Sequence, residues 1–325
     1  MKAIVYHDYG SPDVLRYEEV EKPAPGDEEV LLKVRAAALN ALDWRILRGK
    51  PWPMRLVIGG LRKPRITRPG RDVAGQVEAV GSKVTGFKPG DEVFGACLGA
   101  CAEYACAKEE KLVLKPPNIS FEQAAAVPVA ALTALQGLRD KGRIQPGHKV
   151  LVDGASGGVG TFAVQIAKSF GAEVTAVCST RNVDAARSMG ADHVMDYTRE
   201  DFMQSGQRYD LILAANAHRS LFDYRRALKP GGIYAMAGGG WLQMFQAMFL
   251  GPVLSLMGSR KMGSLMATIR QDDLASLKDL LATGKVVPII DRRYPLRETA
   301  EALRYLEEGH ARGKVVITVE QSNDD

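Results

Sequence analysis

The stretch Val150-Leu151-Val152-Asp153-Gly154-Ala155-Ser156-Gly157-Gly158-Val159-Gly160-Thr161 constrains this chain more than any other. Its apolar opening reads as a buried strand, a glycine-rich turn follows, and a helix begins near Val159. A strand joined this tightly to a helix belongs to a βαβ unit and hence to a mostly parallel sheet. The small residues Gly154, Gly157, Gly158 and Gly160 let the backbone approach a pyrophosphate. The helix start directs amide hydrogens and the positive end of its dipole at the same place. Glycine clusters also occur in ordinary tight turns, and it is the setting between strand and helix that points to a dinucleotide. The whole loop Gly154 to Gly160, with Ala155, Ser156 and Val159 included, is expected to line that site.

The next apolar run, Glu173 to Cys178, ends about 20 residues further on, where an NAD site places Asp or Glu for the ribose hydroxyls. Here the sequence reads Ser179-Thr180-Arg181-Asn182. No acid in that segment repels a 2′-phosphate, and Arg181 with two neighbouring hydroxyls can hold one. Tyr197, after the following strand, brings a phenol toward the same phosphate. NADPH is the expected cofactor; a solvated loop cation is the competing reading of Arg181.

At 325 residues the chain is long enough for about two domains. The first third is β-rich: Glu29 to Ala36, Gly75 to Gly81 and Glu92 to Gly95 are short apolar runs closed by turn residues. From about residue 121 strands alternate with helices, and Lys314 to Val319 returns to the first style. The expected organisation is α/β: residues 1–122 as a β-rich domain, 123–285 as a nucleotide-binding domain, and 286–325 back in the first. Lys and Arg total 43 against 38 Asp and Glu, a net +5, and no run of five basic residues occurs. A nucleic-acid partner is not indicated. Four cysteines in so long a chain, and an N-terminus that reads as a strand rather than a secretory leader, lead to the expectation of a cytoplasmic enzyme. The five histidines are dispersed without metal-like or triad-like spacing, and Ser156 lacks the setting of a nucleophile elbow.

One segment departs from this texture. Residues 230–259 carry no charge, and Trp241 to Leu250 is dense in large apolar groups. Gly251-Pro252 interrupts it, which argues against a spanning helix. A lid, pocket wall or subunit contact is one reading. Peripheral membrane contact through 241–259, aided by Arg260 and Lys261, is the other.

A further set of motifs, in order along nearly the whole chain, carries a family resemblance. It comprises Asn40…Asp43, Gly70-Arg71-Asp72-Val73-Ala74-Gly75…Val80-Gly81, Gly90-Asp91-Glu92-Val93-Phe94-Gly95 and Ala124-Ala125-Ala126-Val127-Pro128. The glycine loop, Gly190-Ala191-Asp192-His193-Val194, Leu228-Lys229-Pro230-Gly231-Gly232 and Gly309-His310-Ala311-Arg312-Gly313-Lys314 complete it. The chain resembles the medium-chain dehydrogenase/reductase superfamily, and within it the zinc-independent quinone oxidoreductases related to zeta-crystallin and plant enone oxidoreductases. That resemblance implies a GroES-like catalytic domain, a Rossmann domain and a homodimer. Zinc-dependent members of the superfamily place Cys where this chain has Asn40 and Gly-His-Glu where it has Gly70-Arg71-Asp72, so no metal is expected. Cys97, Cys101 and Cys106 lack the fourth thiolate of a structural site.

Without a Lewis acid, hydride delivery to a quinone or to the β-carbon of an α,β-unsaturated carbonyl is the easier chemistry. The resemblance places Asn40-Ala41-Leu42-Asp43-Trp44-Arg45 at the mouth of a cleft. Asn40 is expected to orient a carbonyl and Arg45 to stabilise an enolate or bind an acidic substrate. Asp43 then pairs with an arginine or fixes the loop. Helix capping by Asn40 and plain loop structure for Asp43 and Arg45 compete with these roles. Trp44 and Trp52 are candidates for stacking a flat acceptor. Thr133 resembles a family position near the nicotinamide, and Lys314 one near the cofactor's edge. Ala215 and Asn216 are expected to line the cleft, with Gly238 closing the next turn. A metal-free carbonyl reductase and a non-catalytic NADPH-binding protein are the alternative functions.

Overall fold

The computed structural model describes residues 1–52, 55–56 and 60–320. In chain order the strands and helices begin with β1 (Lys2–Val5), β2 (Arg16–Glu19), β3 (Glu29–Leu39), α1 (Ala41–Arg48), β4 (Asp72–Val80) and β5 (Glu92–Ala96). Then come β6 (Tyr104–Lys108), β7 (Leu112–Leu114), α2 (Phe121–Ala125), α3 (Pro128–Gln136), β8 (Lys149–Asp153), α4 (Gly158–Ser169) and β9 (Glu173–Cys178). After α5 (Val183–Ser188) follow β10 (His193–Asp196), β11 (Tyr209–Ala214), α6 (Leu221–Ala227), β12 (Leu228–Met236), α7 (Trp241–Phe245) and α8 (Gly251–Leu256). The chain closes with β13 (Lys261–Ser264), α9 (Gln271–Ala282), β14 (Ile290–Pro295), α10 (Thr299–Glu307) and β15 (Lys314–Thr318).

Two compact units result. The first comprises Met1–Val129, Ile269–Ala282 and Pro288–Asp325, and the second Ala130–Thr268 and Thr283–Val287. The boundaries therefore differ from the expected 122/123 and 285/286. α9 belongs to the first unit because its ends are tied there: Gln271 Nε2 donates to Leu112 O at 3.1 Å and Asn118 Nδ2 to Leu281 O at 3.0 Å. Lys111 Nζ adds a bond to Ile269 O at 2.8 Å.

In the first unit a seven-stranded sheet runs in the order β14-β15-β3-β4-β5-β7, with β6 also paired to β3. β3 is its organiser, antiparallel to β15, β4 and β6. Its alternation buries Val30, Leu32 and Val34 against Val73, Val77, Val93, Val315 and Ile317 in one apolar core. The 36–39 end of β3 is flanked by β4 and β15, and the chain turns there into α1.

In the second unit all pairings are parallel and the order is β10-β9-β8-β11-β12-β13. Its central strands are buried on both faces, which is why Val150-Leu151-Val152 and Leu211-Ile212-Leu213 read as unbroken apolar runs. The strand order reverses between β8 and β11. Ligands bind such sheets at the carboxyl ends of the strands flanking that reversal. No helix of the described residues is long and apolar enough to cross a membrane.

Candidate active site

At the carboxyl end of β8 the chain turns at Gly154, whose φ of +81° favours glycine. A Cβ there would lie 2.9 Å from Asn216 N, and one on Gly160 only 2.1 Å from Gly154 O. In front of Gly157 the space is open, with Gly154 O at 3.7 Å the one atom a Cβ would meet. Gly157 caps α4 in an extended conformation, and no side chain caps the helix. The first-turn amides of Gly158, Val159 and Gly160 have no intrahelical acceptors. Open backbone amides on a twelve-residue helix, with no side chain in the way, fit a dinucleotide pyrophosphate.

The neighbouring segments draw in around this loop. Ala155, fully buried, is held by its N–H to Val177 O at 3.0 Å. Asn182 Nδ2 donates to Ser156 Oγ and to Ser179 Oγ, both at 3.1 Å, and so ties the loop to the end of β9. Ala215 N–H and Asn216 N–H both reach Asp153 O, at 2.9 and 3.2 Å. Gly238 is required because a Cβ would stand 2.4 Å from Ala215 O. The second unit thus gathers Gly154 to Gly160, Ser179, Thr180, Arg181, Asn182, Ala215, Asn216 and Gly238 at one end of its sheet. Thr133 lies half-buried on α3.

At this end of the sheet the sequence reading missed an acid. Thr180 Oγ1 donates to Asp196 Oδ2 and meets Thr198 Oγ1 at 2.8 Å. Burial alone would raise Asp196, but the Thr180 and Thr198 hydrogen bonds and Arg199 outweigh it and hold the carboxyl below its ordinary range. The Thr180 hydroxyl, expected beside the 2′-phosphate, donates to that carboxylate. Arg181 is exposed and has no carboxylate within 4 Å among the described residues, and Tyr197 is 52% exposed beside the His218 ring at 6.0 Å. The reading also passed over Asp153, 1% exposed, whose carboxylate accepts from Tyr224 OH and lies 3.6 Å from His218 Nδ1. Burial pushes Asp153 up, and His218 and the Tyr224 hydrogen bond oppose it. Its place immediately before the glycine loop was the available sign.

The other candidate residues cluster in the first unit. Lys314 Nζ donates to Asn40 Oδ1 at 2.7 Å and to Asp72 Oδ2 at 3.0 Å. Asn40 Nδ2 reaches the same Asp72 oxygen at 2.9 Å, and Asp72 Oδ1 accepts Val129 N–H at 2.9 Å. The Lys314 and Asp72 side chains are 2% and 0% exposed. The ammonium of Lys314, the residue expected near the cofactor's edge, is enclosed between these two oxygens. Asn40 keeps one amide hydrogen for a ligand, since its oxygen and its other N–H are engaged.

Asp43 takes the loop-fixing role. Its Oδ2 accepts Asn40 N–H at 2.7 Å and its Oδ1 accepts Gly70 N–H at 3.3 Å, which locks the start of α1 to the segment before β4. Burial, reinforced by the charge of Asp72, pushes the carboxyl up to about 6 despite the Asn40 hydrogen bond, Arg71 and Lys314. No arginine lies within 4 Å of it among the described residues. Asp43 also borders a small recess, about the size of one water, with Tyr6, Ile46, Arg68 and Arg71. Arg45, half-buried, sits 5.3 Å from the Trp44 ring, and burial lowers its pKa. Trp44 packs against the core, whereas Trp52 is 58% exposed. Burial pushes the Cys97 thiol up to about 12 and Cys101 well above its ordinary value. Among the described residues no three His, Cys, Asp or Glu side chains converge as metal ligands.

Comparison with known proteins places these elements in a wider setting. Residues 26–117 match the alcohol dehydrogenase GroES-like domain and residues 189–317 the domain family described as zinc-binding dehydrogenase. The chain is 36% identical over 333 residues to a chloroplastic quinone-oxidoreductase homolog of Spinacia oleracea, covering 98% of each. It is 36% identical over 334 residues to the chloroplastic NADPH-dependent alkenal/one oxidoreductase of Arabidopsis thaliana, covering 98% of this chain and 79% of that protein. Its fold matches the quinone oxidoreductase of Coxiella burnetii with a TM-score of 0.86 at 30% identity, over 98% of this chain and 99% of that one. The expectation of a cytoplasmic location is overturned here, because both plant relatives are named as chloroplastic.

Proposed function

From the chain's membership of the medium-chain dehydrogenase/reductase superfamily, to whose quinone and alkenal/one oxidoreductases it belongs, we propose a specific reaction. It takes hydride from NADPH and delivers it to a quinone or to the activated C=C of an α,β-unsaturated carbonyl. The observation that carries the reading is the uncapped glycine loop at the β8–α4 turn, on a chain alike from end to end to an NADPH-dependent alkenal/one oxidoreductase.

NADPH, when bound, supplies a hydride at its nicotinamide ring. The amides of Gly158, Val159 and Gly160 bind the pyrophosphate, and Arg181 with Ser179 and Tyr197 holds the 2′-phosphate. Asn40 presents its remaining N–H to the acceptor's carbonyl oxygen, where negative charge grows during reduction. Asp43 is a positioning residue that fixes Asn40 and α1, and Arg45 adds positive charge on the same helix. The proton that completes the reduction comes from solvent. Support for a zinc-independent route comes from Lys314, whose ammonium stands between Asn40 and Asp72 as the resident cation. A homodimer belongs to the same proposal and is read by sedimentation velocity.

The decisive experiment follows NADPH oxidation with 1,4-benzoquinone, an enone, and that enone's saturated ketone, each with and without EDTA. Turnover of the quinone or enone alone, indifferent to chelation, is the expected result. Turnover chiefly of the saturated ketone, or activity lost to EDTA, refutes the proposal. Tight NADPH binding with no consumption across the panel favours a non-catalytic binding protein.

A further inference from the structure

The helical run from α7 through a π-type turn (Gln246–Leu250) to α8 wears its polarity inside out. Leu242, Phe245, Phe249, Val253 and Leu256 are 65%, 64%, 56%, 52% and 86% exposed. Their spacing of three or four residues puts them on one stripe. Ala247, Gly251 and Leu254 occupy the opposite side and are buried toward the sheet. A continuous exposed apolar stripe of this size marks an interaction surface rather than ordinary solvent-facing helix.

Charge decides what it meets. No Asp, Glu, Lys or Arg occurs from 230 to 259. At the margin stand Arg225, Arg260 and Lys261, which lean on backbone carbonyls: Met257 O at 3.0 Å, Leu228 O at 3.0 Å and Ser255 O at 3.4 Å. None of the three has a carboxylate within 4 Å among the described residues. The other nearby cations, Arg226 and Lys229, are answered by Asp223 and Asp210. We propose that this stripe docks on an anionic lipid bilayer, its apolar side chains entering the headgroup boundary while Arg225, Arg260 and Lys261 meet lipid phosphates. A second copy fits less well, since a self-complementary contact sets this margin of unanswered cations against itself. The run is too short to span a bilayer and stays at its surface. The inference is independent of the acceptor's identity.

The test floats the full chain with vesicles of three parts phosphatidylcholine to one part phosphatidylglycerol, and with pure phosphatidylcholine. Binding to the anionic vesicles that weakens with salt is expected. Phe249→Glu with Leu256→Glu lowers it at least tenfold. Arg260→Gln with Lys261→Gln lowers the anionic preference about thirtyfold, the product of two surface charges. Melting curves like that of the wild type show that these surface variants fold. Absence of flotation, or flotation undiminished in Phe249→Glu with Leu256→Glu, overturns the proposal. So does a wild-type dimer that this double variant splits without any effect on lipid binding.

Discussion

Replacing Lys314 with methionine removes the cation from a site where Asp72 has no access to water. At the observed 3.0 Å, and with an effective dielectric of 20, the gross attraction is about 5.5 kcal/mol. Asp72 keeps its bonds from Asn40 Nδ2 and Val129 N–H, so its carboxylate is left hydrogen-bonded but uncompensated. Breaking a buried pair on one side costs about 3–5 kcal/mol. For the first unit this lowers the melting temperature by roughly 10 °C. Thermal unfolding followed by circular dichroism measures the loss, and the double variant Lys314→Met with Asp72→Asn isolates its origin. Removing both charges leaves nothing buried without an answer, so the double variant melts above Lys314→Met alone. A Lys314→Met melt within about 2 °C of wild type refutes the reasoning, as does a double variant that merely sums the two single losses.

Three further outcomes follow from the same structure. Asp43 has a folded pKa of about 6 against an ordinary 3.8, so the folded state holds the proton more tightly. Stability is then lost as pH rises from about 4 to about 6, by up to about 3 kcal/mol. The difference between wild type and Asp43→Asn in urea midpoints across that range measures it, and a flat difference sinks the claim. Gly160→Ala forces a Cβ against Gly154 O, so NADPH affinity measured by fluorescence titration falls at least tenfold and stability by about 1–3 kcal/mol. Arg181→Ala lowers the NADPH-to-NADH ratio of kcat/KM by about 10- to 100-fold, one charged phosphate contact; an unchanged ratio assigns the 2′-phosphate elsewhere.

What was legible in the sequence was local. The glycine loop needs only a strand, a turn and a helix that follow one another, and all three sit where Val150 to Ser169 places them. Pro128 splits the alanine-rich helix into α2 and α3, as its missing N–H requires. What escaped depends on distant segments meeting. Asp196 lies 16 residues from Thr180 and reaches it only because β10 pairs in parallel beside β9. The partners of Lys314 escaped because they are 274 and 242 residues away. α9 follows the nucleotide-binding segment in sequence, but its terminal hydrogen bonds to Leu112 and Asn118 assign it to the other unit. Periodicity shows which face of an element is apolar; it does not show which element will cover that face.

The pairing of β15 with β3 also sets a schedule for biosynthesis. β3 leaves the ribosome early and finds β4 and β6 quickly, but the 36–39 end of the edge it shares with β6 has no partner until residues 314–318 have been made. The second unit is nearly continuous and can complete its sheet as it emerges. The first unit meanwhile holds an open strand edge and a carboxylate with no counter-charge through most of translation. Loss of the last dozen residues would therefore be felt near Asn40 and Asp72 rather than at the tail. Aggregation during synthesis, more than weakness of the finished fold, is the hazard this topology carries.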